Sequence, residues 1–263
     1  MLQAMKPHVK QMIGGISHSA AQKSYLRQIL FNAMAQRSEE ITRMQEIEEV
    51  GFLAHTFLRL KQSKAQILQD LWVTFETKDA RGGYFVEFGA TNGLTNSNTW
   101  LLENAYGWSG ILAEPNPVWH DDLARNRTCA IDHRCVAARS GETVEFVTTD
   151  NPELSTIATC AANDHFASAR QTAPRMSVET LSLNDLLTRY EAPKRIDYMS
   201  VDTEGSELEI LRAFDFDRYA VSLFSIEHNN TPNEALIDTL MQSNGYIRRF
   251  PEFSQWDAWY SKA

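Results

Sequence analysis

Ile196-Asp197-Tyr198-Met199-Ser200-Val201-Asp202-Thr203-Glu204-Gly205-Ser206-Glu207 is the stretch that decides the fold. A β-prone run ends in Asp202, Glu204 and Glu207, three acids within six positions, and the helical spacing of Leu208, Leu211 and Phe214 follows at once. This order places Asp202 at the carboxyl end of a strand, where open α/β sheets put their ligand crevice. Carboxylates this closely spaced repel one another and are best tolerated where a cation, a metal or a substrate donor offsets the repulsion. Asp and Glu also favour a solvated helix N-terminus, a simpler reading that suits Glu207 better than Asp202.

Upstream, Tyr84-Phe85-Val86-Glu87-Phe88-Gly89-Ala90-Thr91-Asn92-Gly93 repeats the strand-to-loop transition. The aromatic and β-branched run reads as a buried strand. Gly89 and Gly93 then give a turn in which backbone can approach a ligand closely. The spacing is not the G-x-G-x-x-G of dinucleotide binders. Gly110-Ile111-Leu112-Ala113-Glu114-Pro115-Asn116-Pro117 puts a further acid at a strand end, 21 residues beyond Gly93. In nucleotide-binding α/β folds an acid at about this spacing accepts hydrogen bonds from ribose hydroxyls. Pro115 and Pro117 stop the strand and hold Glu114 at its rim.

Four blocks together resemble the FkbM family of S-adenosylmethionine-dependent methyltransferases: Phe85 to Gly93, Ser97-Asn98-Thr99, Glu114-Pro115-Asn116-Pro117, and Asp202 to Glu207. Ile226-Glu227-His228-Asn229 and Ala65 to Trp72 also fit, so the resemblance runs from about Ser63 to Tyr260, roughly three quarters of the chain. It implies a Rossmann-like class I methyltransferase fold, with a mostly parallel seven-stranded sheet closed by an antiparallel hairpin. It also implies S-adenosylmethionine as cofactor, and O-methylation of a hydroxyl on a sugar, glycan or natural product. The cofactor-binding residues expected are Glu87, Gly89, Thr91, Asn92, Gly93, Asn98, Glu114, Pro115 and Asn116.

The loop chemistry agrees. S-adenosylmethionine carries no phosphate, and no Lys or Arg occurs between Tyr84 and Asn104. Its sulfonium and α-amino group complement an acid such as Glu87, and its carboxylate suits backbone N–H groups, Thr91, Asn92 or Asn98. A nicotinamide cofactor would need its pyrophosphate met by a helix N-terminus with tighter glycine spacing.

An alcohol has a pKa near the ~15.7 of water, so methyl transfer to oxygen needs a general base or a divalent metal. Asp202, Glu204, Glu227 and His228 are the candidates. Asp202, Glu204 and His228 are expected to be catalytic, and Asp202, Glu227 and His228 are the expected ligands if Mg²⁺ or Mn²⁺ takes part. Two readings from other classes stand beside this one. A non-catalytic methyltransferase-fold binding module is disfavoured by the acids kept at every strand end, and a nicotinamide-dependent reductase by the glycine spacing.

At 263 residues and 43% apolar content the chain can bury one substantial core with a smaller appendage. A net charge of −9 and a pI of about 5.3 disfavour nucleic acid or an anionic membrane as partner. No run approaches the roughly 18 apolar residues of a membrane-spanning helix. Lys6, Pro7, His8 and Lys10 interrupt any signal-peptide core. Cys129, Cys135 and Cys160 leave one thiol unpaired under any disulfide scheme. These features together predict a reduced cytoplasmic protein.

Residues 1–64 read as a helical extension that packs on the sheet domain or forms a homodimer, and residues 65–263 as the cofactor-binding domain. Ser19 with Gln22 makes a capping box. Apolar stripes follow at Tyr25, Leu26, Ile29, Leu30, Ala33 and Met34, at Ile41, Met44 and Ile47, and at Leu53, Phe57 and Leu60. Beyond Ser63, a helix over 65–75 leads into strands near 84–88, 110–113, 134–138, 143–147, 196–201, 221–227 and 245–250, with a last one near 256–260. Helices are expected near 97–105, 117–126, 183–190, 206–214 and 232–243. Such alternation implies helices on both faces of the sheet. The irregular stretch 148–175 is long enough to be functional and could shape an acceptor pocket through His165, Arg170 and Arg175.

Overall fold

The computed structural model describes residues 48–162 and 166–263. The capping box at Ser19, the stripes over 25–34 and 41–47, and His165 lie outside them. The chain divides into two units, Met1–Ala54 and His55–Ala263. Helix α1 (Glu48–Arg59) begins the described part, and Leu53, Phe57 and Leu60 on and just after it are exposed.

The second unit is built on a seven-stranded sheet of order β10-β11-β9-β8-β1-β2-β3. Its strands are β1 (Tyr84–Phe88), β2 (Ser109–Ala113), β3 (Ala130–Asp132), β8 (Arg195–Val201), β9 (Ala220–Glu227), β10 (Tyr246–Arg249) and β11 (Asp257–Lys262). The five from β3 to β9 run parallel. β11 slots antiparallel between β9 and β10 and pairs antiparallel with both. The sheet is thus mixed, with the expected hairpin at one edge.

Consecutive residues of β1 and β9 are buried alike, because helices cover both faces and neither face of a central strand meets water. On one face Val86, Met199, Val201, Phe224 and Ile226 pack against Leu186, Leu211 and Met241. These last belong to helices α6 (Leu183–Arg189), α7 (Glu207–Arg212) and α8 (Asn233–Ser243). On the other face, Trp72 of α2 (Gln69–Glu76) stacks on Trp259 at 5.1 Å and meets Tyr198 edge-on. Helices α3 (Trp100–Tyr106) and α4 (His120–Asn126) follow β1 and β2.

Several local expectations are corrected. The strands expected at 134–138 and 143–147 leave the main sheet. As β4 (Cys135–Ala137) and β5 (Thr143–Val147) they join β6 (Thr156–Ile157) and β7 (Arg175–Ser182) in a second sheet of order β4-β7-β5-β6. The main-sheet edge is instead β3, whose three residues are too few to leave a pattern. β7 carries a period-two signal in Met176, Val178 and Thr180 that the polar stretch before it obscures. The helix expected from Ala65 starts only at Gln69. The Asp70 carboxylate accepts from the Ser63 hydroxyl and the Lys64 and Ala65 N–H groups, folding 63–65 back, and Leu68 sits at φ 71°. The short helix α5 (Ala167–Arg170) lies within the irregular stretch.

Candidate active site

After β1 the sheet grows outward through β2 to β3, whereas β8 and β9 lie on the other side of β1. The seam between β1 and β8 is therefore the topological switch point, where open α/β sheets form a crevice at the carboxyl ends of their strands. Gly89, Glu114, Asp202 and Glu227 all sit at that end. Gly89 adopts φ +80°, and a Cβ there would stand 1.8 Å from the Asp202 carbonyl oxygen. The Asp202 N–H in turn reaches the Phe88 carbonyl at 3.3 Å.

The Gly89 turn is held by two buried carboxylates. Glu87 accepts from the Asn98 N–H at 2.8 Å, the Thr99 hydroxyl at 2.5 Å and the Ser97 hydroxyl at 3.1 Å, and faces the Arg127 guanidinium at 3.5 Å. It anchors the loop from within the fold. Glu114 accepts from the Thr91 N–H and the Asn116 N–H, both at 2.8 Å, and so ties the first loop to the second. Burial pushes its carboxyl up to about 7 despite these two bonds. The Asn92 side chain accepts from the Leu94 and Thr95 N–H groups and shapes the turn. Gly93 takes φ +71° above Arg127. Pro115 separates Glu114 from Asn116, whose side chain accepts from the Val118 N–H and reaches the Ser155 hydroxyl. The Asn98 amide donates to the Ser200 hydroxyl at 2.9 Å, and its buried Oδ1 has no partner among the described residues.

At the far side of the seam one carboxylate oxygen from each of Asp202, Glu204 and Glu227 lies within 4.8 Å of the other two. Burial pushes the Asp202 carboxyl well above the ordinary carboxylate range, and the charges of Glu204, Asp257 and Glu207 add to the shift. Glu227 is raised likewise, by burial and then by Asp202 and Glu204. The closeness of the Asp202 and Glu227 carboxyls disfavours the ionisation of both at once. The second Glu227 oxygen, Oε2, is buried and has no partner among the described residues. Glu204, at φ 58°, pairs with the fully buried Arg170 at 2.9 Å.

His228 does not join this cluster. Glu227 is the last residue of β9 and successive strand side chains point to opposite faces, so the imidazole turns away from Asp202. Its Nδ1 accepts from the Asn230 N–H at 3.1 Å, and Nε2 lies 3.7 Å from Glu234 on α8. Burial lowers its pKa, with Glu234 opposing. Glu204 takes the place expected for His228 in a ligand set with Asp202 and Glu227. Glu207 turns inward as a cap for its own loop, accepting from the Thr203 and Gly205 N–H groups.

Of the polar residues expected along 148–175, Arg170 reaches the cluster, while Arg175 makes an exposed pair with Glu145. Two contributors carried no motif. Asp257, opposite Glu227 in the β9–β11 register, is buried, takes a hydrogen bond from Gln69 at 2.8 Å and is pushed up by burial to about 7. Arg127 lies beneath the first loop. Asp257 leaves one sequence signal, a charge between Trp256 and Ala258, whereas Arg127, between Asn126 and Thr128, leaves none.

A family model described as the methyltransferase FkbM domain matches residues 87–258, well over half of the chain. No curated protein matches. Among solved structures the chain is similar to the precorrin-6y C5,15-methyltransferase of Geobacter metallireducens, with 12% identity, TM-score 0.39, and coverage of 68% of this chain and 72% of that one. It is also similar to a TehB-like SAM-dependent methyltransferase of Corynebacterium glutamicum, with 9% identity, TM-score 0.36, and coverage of 80% and 96%. No helix among the described residues is long and apolar enough to cross a membrane.

Proposed function

Because the chain belongs to the FkbM methyltransferase family, we propose that it is an O-methyltransferase that moves the methyl group of S-adenosylmethionine to a hydroxyl of a sugar, glycan or natural product. The observation that carries this reading is the Asp202–Glu204–Glu227 cluster standing directly beside the Gly89 turn. A cation-tolerant, proton-accepting group thereby adjoins the cofactor loop. A module that only bound its ligand would have no use for three carboxylates gathered there.

The residues present suit the cofactor. Gly89 lets the first loop close on the Asp202 carbonyl, where any side chain would clash. Glu114 stands at the end of β2, where a ribose is received in related α/β architectures. The unpartnered Asn98 Oδ1 is an acceptor and fits the α-ammonium group, whereas the backbone of Thr91 and Asn92 suits the carboxylate. Glu87 acts from below as the anchor of the loop. When bound, the cofactor supplies an electrophilic methyl group on a cationic sulfur.

Asp202 is the proton acceptor in this scheme. Its raised pKa brings it closer to the hydroxyl it must deprotonate, which improves a general base. It ionises more readily once a positive charge lies beside it. Glu227 stands beside Asp202 in the cluster, and Arg170 limits the repulsion from Glu204. Positioning of the hydroxyl in line with the methyl group supplies much of the remaining acceleration.

A second reading has one observation behind it, the three clustered oxygens with Glu227 Oε2 unpartnered. An all-oxygen set suits Mg²⁺ or Mn²⁺, and Asp202, Glu204 and Glu227 would hold the ion and lower the hydroxyl pKa. Incubation with methyl-labelled S-adenosylmethionine and fractionated small-molecule and glycan extracts tests the main proposal. Label recovered in an alkali-stable methyl ether supports it. Label found only on nitrogen or carbon, or in no fraction, overturns it.

A further inference from the structure

Arg127 follows α4, outside every motif, yet its guanidinium is wholly buried. Each of its nitrogens is engaged. Nε donates to Glu103 on α3 at 2.5 Å, Nη2 to the Thr99 hydroxyl at 2.8 Å, and Nη1 to the Ser97 hydroxyl at 3.1 Å and the Gly93 carbonyl at 3.3 Å, with Glu87 at 3.5 Å. The group lies 5.3 Å from the centre of the Phe85 ring. Gly93 fits this arrangement alone, since a Cβ there would stand 2.6 Å from the Arg127 Cγ. The neighbouring Asn126 amide donates to the Asn92 carbonyl at 2.8 Å. One short segment at the end of α4 thus grips the loop after β1 at Asn92, Gly93, Ser97 and Thr99.

We propose that Arg127 is a positioning residue that clamps the 89–99 loop from beneath, so that methyl-donor affinity depends on its forked geometry and not on its charge alone. The inference rests on the donor-loop reading given above. Two carboxylates, Glu87 and Glu103, supply more than enough negative charge to retain any cation at this position. What a compact ammonium cannot do is bond Glu103, Thr99, Ser97 and Gly93 at once, because it lacks the planar fork of a guanidinium. A lysine should therefore keep the fold and loosen the loop.

The test compares the full chain with Arg127→Lys in two measurements, amide hydrogen exchange by mass spectrometry and calorimetric titration with S-adenosylhomocysteine. The expected result is a cooperatively folded variant whose 90–99 amides exchange at least tenfold faster, while those of 195–227 exchange as in the parent. Its affinity for S-adenosylhomocysteine should be at least tenfold weaker. A folded variant with unchanged 90–99 exchange and unchanged affinity overturns the inference. So does a uniform loss of protection through the sheet, the mark of a residue that only stabilises the fold. Should Arg127→Lys fail to fold, Thr99→Val decides, since it removes one contact of the fork; selective loosening of 90–99 with weaker affinity supports the clamp, and parent-like behaviour overturns it. A parent that binds no S-adenosylhomocysteine, with the variant loosened only at 90–99, leaves the clamp standing and retires the donor reading instead.

Discussion

Gly89 and Asp202 meet backbone to backbone: the Asp202 carbonyl oxygen occupies the place where any side chain at position 89 would begin. The turn expected to receive the cofactor and the acid expected to take the proton are thereby held in one rigid contact. Their separation is set by the sheet and not by flexible side chains.

Gly89→Ala should accordingly be among the most damaging single-methyl changes in the chain. The added Cβ must displace the Asp202 carbonyl, and φ +80° is itself strained for alanine. We expect a loss of roughly 3–5 kcal/mol or failure to fold, measured by urea unfolding. An alanine variant with the parent's midpoint would show that the two loops are not in contact.

S-adenosylmethionine and S-adenosylhomocysteine should bind the purified protein, and NAD should not. Glu114→Ala should weaken both sulfur ligands by about 1–3 kcal/mol, the range for hydrogen bonds to a charged acceptor. The same change unties Thr91 from Asn116. Calorimetry checks both statements; a folded protein that gives no heat with either sulfur ligand removes the basis for this site.

On a confirmed acceptor, Asp202→Asn should leave the fold intact and lower turnover by about 10²-fold or more. Glu204→Gln should slow turnover more than His228→Gln, because the glutamate lies in the cluster and the imidazole faces α8. The reverse ranking would mean that the loop after β8 rearranges before catalysis. A chelator titration in the same assay separates the mechanisms: inhibition reversed by Mg²⁺ or Mn²⁺ favours a metal, and indifference favours Asp202 as a direct base.

The buried acids also set a pH dependence of stability. Asp257 titrates at about 7 against an ordinary value of 3.8, so its proton is held more tightly in the folded chain than in the unfolded one. The stability this confers is complete below about pH 4 and is lost as pH rises through 7. Glu114, also raised to about 7, acts in the same direction. Without ligand, the parent should weaken as pH rises from about 4 to about 7. Asp257→Asn removes a contribution on the order of 4 kcal/mol and should flatten the profile. Urea unfolding at several pH values checks this, and parallel profiles for the two proteins would refute it.

Much of this was legible in the sequence where burial leaves continuous runs. Apolar side chains dominate residues 84–88, 109–113, 195–201 and 220–227 because these are parallel strands covered on both faces, and Glu114, Asp202 and Glu227 stand out because they end those runs. β3 was hidden by its three-residue length, and the second sheet because β4 and β5 look like strands of any sheet. Glu87 shows why a motif residue need not face the ligand. Its partner Arg127 lies 40 positions away, and no local pattern announces that pairing. Glu204 joins the cluster through the turn after β8, where it takes φ 58°, and a loop conformation leaves no periodic signal in the sequence.

The seam between β1 and β8 has a further consequence, for the order of folding. Phe85 and Tyr198 are register partners, and the Tyr84 N–H bonds the Asp197 carboxylate across 113 positions. The strands on either side are joined by much shorter connections, so β1–β2–β3 and β8–β9–β11 can each condense locally before the two halves meet. Closing so long a loop carries a large entropic cost and is slow. A chain with both halves formed but still apart would hold every side chain named here and would have no crevice in which to use them.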